Sequence, residues 1–170
     1  MSQLDKQIQA IKEIYREIDR SKSRIQPVII GKFALTVYTQ GMYPANMISF
    51  LFPDLKLLTK VLKNLGYQPM GDFWTRGDIV VEVSKKFELI PTGTFNQIEV
   101  DGSIINVISL EDLLIDMMKE CLAGDETVCQ LIQTLIRSYS KAIDFHYIFQ
   151  NLRNKKAVAR FKEYKKLTAN

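Results

Sequence analysis

Few residues in this 170-residue chain have the type and spacing that chemistry needs. Gly31-Lys32 closes the apolar run Val28-Ile29-Ile30. If a helix starts there, its free N–H groups and the lysine ammonium together suit a phosphate. The plainer reading is a tight strand-to-helix turn with a solvated lysine, since a lone Gly-Lys is not a phosphate loop. Glu82 stands alone among Ile79, Val80, Val81 and Val83; it is either a ligand for a cation or a solvent-facing strand residue. His146, the only histidine, has no nucleophile or orienting acid placed with it, so it reads as helix surface or packing. Phe73-Trp74 with Arg76 could stack a base, although an aromatic pair in a hairpin usually belongs to a core. Cys121 and Cys129 are too few for a zinc site, and they read as free thiols in a reducing compartment. No metal site is expected.

The elements that must hold these residues follow from periodicity. Leu4, Ile8, Ile11, Tyr15 and Ile18 repeat at helical spacing, and a polar stretch from Asp19 to Ser23 ends that helix. Gln26 to Gly31 suits a buried strand, Lys32 to Tyr38 a helix, Gly41 to Pro44 a turn, and Met47 to Phe52 a second buried strand. Pro53-Asp54 opens a helix with Leu55, Leu58, Val61, Leu62 and Leu65 on one face, closed by Gly66. Phe73 to Val83 reads as a hairpin around Gly77-Asp78, and Gln97 to Ile108 as another around Asp101-Gly102, the strongest short hairpin signal. Ser109 is a good N-cap, with Asp112 placed to return a bond. Leu110, Leu113, Leu114, Met117 and Met118 form the apolar face of the helix that follows, Gly124-Asp125 breaks it, and two or three more helices complete the chain.

Composition narrows the class. With 46% hydrophobic and 25% charged residues, the chain has an ordinary globular make-up. No apolar run approaches the ~20 residues of a membrane span. The first residues lack the basic-then-apolar order of a secretion signal, so the expected compartment is the cytoplasm. The net charge of +4 is uneven. Arg153, Lys155, Lys156, Arg160, Lys162, Lys165 and Lys166 face only Glu163, which leaves residues 1–152 slightly acidic. Nucleic acid could contact that basic C-terminal helix, but Val158, Phe161, Tyr164 and Leu167 on one face make it equally an amphipathic helix with a solvated side.

The order strand, glycine, helix, turn, strand, helix, two hairpins and helices resembles the minimal nucleotidyltransferases of the polymerase-beta-like superfamily. It is most similar to the group that includes abortive-infection toxins of the AbiEii kind. Val28 to Leu35 resembles the family's first strand and helix, with Lys32 in place of a second glycine. Pro44 to Leu51 resembles its second strand, Ile79 to Val83 the strand bearing its third carboxylate, Ser109 to Leu114 its helix opening, and Ala142 to Phe145 its later helix. The resemblance implies an α+β fold: a nucleotidyltransferase-like mixed sheet flanked by helices, with a helical C-terminal part. It implies one domain over 1–170, made of a helix (1–24), a core (25–108) and a helical part (109–170).

The family holds magnesium on two aspartates at i and i+2 of one strand and a third carboxylate, the two-metal clamp on a triphosphate. Alternate strand residues share a face, so the paired positions here are Met47 and Ser49, and Asn46 points the other way. A thioether and a neutral hydroxyl are poor partners for magnesium. Glu82 alone is one carboxylate where three are expected, and losing the metal would cost at least ~10³ in rate. The resemblance therefore implies a pseudoenzyme in a toxin–antitoxin or defence setting, needing no cofactor. It would bind a nucleoside triphosphate or a protein partner, with Gly31, Lys32 and Ser49 at the nucleotide. The alternative is an active transferase to RNA, protein or a small molecule, with rearranged magnesium ligands such as Glu82 with Asp72 or Asp78.

Overall fold

The computed structural model describes residues 1–90 and 94–168. The chain starts in α1 (Gln3–Arg20). Ser2 caps it by accepting from the Asp5 N–H while the Asp5 carboxylate accepts from the Ser2 N–H, so two N-terminal donors are satisfied at once. Ala10, Ile11, Ile14 and Ile18 bury its apolar stripe, and α1 packs on α3 (Leu55–Asn64), whose N-cap is Asp54. Between them lie β1 (Val28–Ile30), α2 (Gly31–Tyr38) and β2 (Ile48–Leu51). Three strands follow α3: β3 (Gln68–Met70), β4 (Phe73–Arg76) and β5 (Ile79–Ser84). Then β6 (Phe95–Val100) and β7 (Ser103–Ile108) form the hairpin expected at Asp101-Gly102, both of which take positive φ.

These strands make one seven-stranded mixed sheet in the order β3-β4-β5-β2-β1-β7-β6. The central pairings are β1 with β2 antiparallel, β1 with β7 parallel and β2 with β5 parallel. Register and alternation assign the faces. Ile29, Ile48, Phe50, Val81 and Val107 share one face and are fully buried. Val28, Ile30, Ser49, Leu51, Glu82 and Asn106 share the other. The fold is thus the α+β arrangement of mixed sheet and helices that the sequence implies. One strand was not anticipated. Gln68-Pro69-Met70 carries no strand pattern, yet it pairs with β4 at the sheet's edge, where the missing N–H of a proline is tolerated.

The chain divides into two compact units, Met1–Ile108 and Ser109–Asn170. The second contains α4 (Leu110–Leu122), α5 (Glu126–Tyr139), α6 (Phe145–Asn151) and α7 (Lys155–Lys166). In it, Cys121 and Cys129 are joined by a disulfide, which corrects the expectation of free thiols. The turn at Gly124-Asp125 folds α5 back onto α4 and brings the two Cα atoms to 4.9 Å, within bridging range. The Arg160 guanidinium lies 3.8 and 3.9 Å from the two sulfurs. On α7, Ala157, Phe161 and Tyr164 are buried, with the Phe161 ring against those of Phe145 and Phe149. Leu167 is exposed, so the apolar face of α7 is narrower than its sequence suggests. Among the described residues no helix is long and apolar enough to cross a membrane.

Asp112, 3% exposed, accepts hydrogen bonds from the Tyr147 hydroxyl (2.6 Å) and the Ser109 hydroxyl (3.0 Å). Burial pushes its carboxyl up; those two bonds pull it back only in part, and neighbouring Glu111 adds to the rise. The folded state therefore favours the protonated acid. Stability contributed by this group is full below the ordinary carboxylate value of ~3.9 and is lost as pH rises through the raised folded value. Asp112→Asn is expected to match the wild type in thermal melts at pH 3 and to melt higher than it at pH 7. An equal difference at both pH values would contradict the assignment. For the disulfide, thiol titration of the unreduced, denatured chain should find no free thiol. Reduction should lower unfolding stability by roughly 2.5 kcal/mol, the loop-closure estimate for a bridge eight residues apart.

Candidate functional site

The site is set by three strands lying side by side. Ser49 on β2 is paired with Ile30 on β1 and with Glu82 on β5. Neighbouring strands run ~4.8 Å apart, so Ser49 and Glu82 are adjacent on one face. Ser49 is only 6% exposed, whereas Glu82 is half-buried. Gly31 closes over this row: a Cβ built on it would stand 3.7 Å from the Ser49 Oγ. Its φ of +65° puts the chain in the left-handed region, which lets β1 turn directly into α2 without an intervening loop. The residue before it, Ile30, offers no side-chain cap, so the first N–H groups of α2 have no capping side chain. Lys32 is exposed on the first turn of that helix.

The row brings together Gly31, Ser49 and Glu82, with Lys32 beside them, and leaves the other candidates elsewhere. Met47 lies one residue before β2 and is half-buried, and Asn46 is exposed. Asp78 sits in the β4–β5 turn, four residues from Glu82, and binds the Lys6 ammonium at 2.8 Å, which holds its carboxyl below the usual range. Asp72 is exposed in the β3–β4 turn. Arg76 is committed to structure: it binds Glu13 at 2.8 Å and the Leu65 carbonyl at 2.9 Å, and it covers the Tyr67 ring at 4.7 Å. Trp74 pairs with Pro69 and Val81, and the Lys63 ammonium lies 6.0 Å from its ring. His146 is exposed on α6.

Magnesium, which the fold type implies, does not fit this donor set. The face carries one carboxylate, Glu82, beside the neutral hydroxyl of Ser49, too little negative charge to hold the two ions of a two-metal clamp. Among the described residues, no group of three or more His, Cys, Asp or Glu comes together. Sequence reasoning missed a second feature of the same face, Asn106. Its signal was present: one polar residue inside the run Ile104-Ile105-Asn106-Val107-Ile108.

No protein-family model matches the sequence, and no curated protein matches it. Solved structures do match the fold. The crystal structure of ANT(2")-Ia in complex with adenylyl-2"-tobramycin aligns with a TM-score of 0.67 at 14% identity, over 94% of this chain and 99% of that one. A crystal structure of an antigenic nucleotidyltransferase-like protein from Paracoccidioides brasiliensis aligns at 0.64 with 12% identity, over 95% and 93%. The chain has a nucleotidyltransferase-like fold.

The Gly31 turn yields a prediction of its own. Gly31→Ala keeps ordinary van der Waals contact with Ser49 but forces an L-residue into the left-handed region, at a cost of ~1–2 kcal/mol. Chemical denaturation should show that loss. Gly77→Ala, also at positive φ but with nothing within 4 Å, separates backbone strain from contact: similar losses at both positions assign the effect to strain alone.

Proposed function

We propose that this chain is a nucleotidyltransferase-like protein that does not perform metal-dependent nucleotidyl transfer and acts by binding a nucleotide or a protein partner. The observation that carries this reading is the Ser49–Glu82 pair: a neutral hydroxyl stands beside the single carboxylate of the site. Phosphate would be received by the uncapped N–H groups of α2 and by Lys32, a helix N-terminus and an ammonium that attract anions without a cation. Ser49 would add one neutral hydrogen bond. A nucleotide is also the ligand class favoured by the neighbour solved with an adenylylated aminoglycoside. Rearranged ligands are a weaker reading, because Asp78 is already held by Lys6. A toxin–antitoxin setting rests on the short sequence motifs alone. The basic residues exposed on α7, Lys155, Lys156, Lys162, Lys165 and Lys166, suit contact with nucleic acid phosphates.

Incubation with labelled nucleoside triphosphates, magnesium and RNA or protein acceptors should give no incorporation. Incorporation that disappears in Glu82→Gln would falsify the proposal. Calorimetric titration with a triphosphate should show weak binding that chelator leaves unchanged and added salt reduces. Lys32→Ala should weaken it about tenfold, the loss of one charge-assisted contact, while His146→Ala should not change it. A strict requirement for magnesium would overturn the reading of Met47 and Ser49.

A further inference from the structure

The bridge in the second unit carries a cation. Arg160 Nη1 lies 3.8 Å from the Cys121 sulfur and 3.9 Å from that of Cys129. The guanidinium is half-buried, and among the described residues no carboxylate forms an ion pair with it. For an oxidised bridge this is a poor arrangement, because a neutral sulfur is only a weak acceptor. A thiolate in the same place would take a charge-assisted hydrogen bond. The positive charge therefore favours the reduced pair, and it lowers the pKa of the thiol that forms. Arg160 also lines a cavity of about 560 Å³, together with Leu122, the residue after Cys121, and Lys156. The two cysteines are only 2% and 1% exposed. Arg160 thus touches both the buried sulfurs and open space.

The two sulfurs are not equivalent. Cys121 has a second donor within reach, the Tyr164 hydroxyl at 3.7 Å, whereas Cys129 has Arg160 alone. Cys129 lies in the first turn of α5, whose positive end would favour its thiolate, but Asp125 and Glu126 stand at that end and offset it. The other charged groups near the bridge in sequence, Lys119, Glu120, Lys156 and Glu163, are exposed, where water and salt weaken them. Two donors make Cys121 the better leaving group. We propose that Cys121–Cys129 is a thiol–disulfide exchange site for a dithiol reductant, with Arg160 and Tyr164 holding the Cys121 thiolate of the reduced form. One thiolate of the reductant attacks the Cys129 sulfur, and the electron pair of the broken S–S bond goes to Cys121. The second thiolate of the reductant then attacks its own sulfur in the mixed disulfide. Cys129 leaves and takes one proton, the other goes to water, and the dithiol is oxidised to a disulfide. Arg160 swings into the cavity it lines to admit the attacking sulfur. The site is independent of Gly31, Lys32 and the phosphate reading above.

The full chain, equilibrated without denaturant in mixtures of reduced and oxidised dithiothreitol and quenched by alkylation, should pass completely to the dithiol form and keep its circular dichroism. Arg160→Met should shift that equilibrium about tenfold towards the disulfide, the loss of one charge-assisted contact. Arg160→Lys, which keeps the charge, should recover part of the shift, and Lys156→Met should cause none. In the reduced chain, ultraviolet thiolate absorbance should titrate below the ordinary thiol value of ~8.5, and Tyr164→Phe should raise that titration. If Arg160→Met does not fold, Arg160→Lys and Tyr164→Phe carry the test. Four results would overturn the proposal: a bridge that dithiothreitol reduces only in denaturant, a chain that unfolds once reduced, an equilibrium in the foldable Arg160 and Tyr164 variants equal to that of the wild type, or a thiol titration at or above the ordinary value.

Discussion

Gly31 has a φ of +65°, and a Cβ placed on it would stand 3.7 Å from the Ser49 Oγ. Both facts follow from how β1 passes into α2 with no loop between them. An L-residue in that conformation costs ~1–2 kcal/mol, so the turn belongs to glycine. Because the turn is tight, the start of α2 lies over the β2 strand and not beyond the sheet edge. Its N–H groups then share a space with Ser49 and, one strand further, with Glu82. Every property assigned to the candidate site depends on this placement. A longer connection would leave the helix terminus in open solvent, where its partial charge is screened.

The serine at position 49 has an electrostatic consequence for the fold. Two carboxylates on adjacent strands, ~4.8 Å apart, would repel by roughly 3 kcal/mol at an effective dielectric near 20. A cation offsets that repulsion in a metal-dependent site. Position 49 is only 6% exposed, so an acid there would add a desolvation cost as well. With a hydroxyl in that place neither term arises, and the centre of the sheet closes without a counter-ion. The sheet is therefore stable on its own terms, at the expense of the charge that two-metal chemistry uses.

The fold was legible where local signals agree with tertiary demand. Val28 to Ile30 and Ile48 to Leu51 are short apolar runs because both faces of the central strands are buried, and the Asp101-Gly102 turn forces the last hairpin. The pairing of Ser49 with Glu82 was anticipated only through the family resemblance, since periodicity says which residues share a strand face and not which strands are neighbours. Gln68 to Met70 was illegible for a related reason. An edge strand takes its hydrogen bonds from one neighbour, here β4, and needs no pattern of its own. The disulfide was misread because the inference ran from compartment to thiol. The deciding fact was local: a Gly124-Asp125 break between two antiparallel helices puts residues eight apart face to face. Arg76 was read with the aromatic residues beside it in sequence, but its partners Glu13 and Tyr67 come from α1 and from the segment after α3.

Asn106 shows how one polar residue can be read at two levels. In sequence it interrupts an apolar strand, which by itself says only that something must pair with it. The register then places it beside Val28, across from Leu51, on the face that also carries Ser49 and Glu82. Ser49 and Asn106 therefore lie on one face of the sheet, the first under the α2 terminus and the second two strands away. Their separation has two parts: two residues of strand rise, about 7 Å, and two inter-strand steps of about 4.8 Å each from β2 through β1 to β7. The two positions also differ in what surrounds them. The first lies under the positive end of a helix; the second is a carboxamide on the floor of a cavity that Arg24 also lines. An anion held by the first is sensitive to salt, because ions in solution screen the attraction between charges.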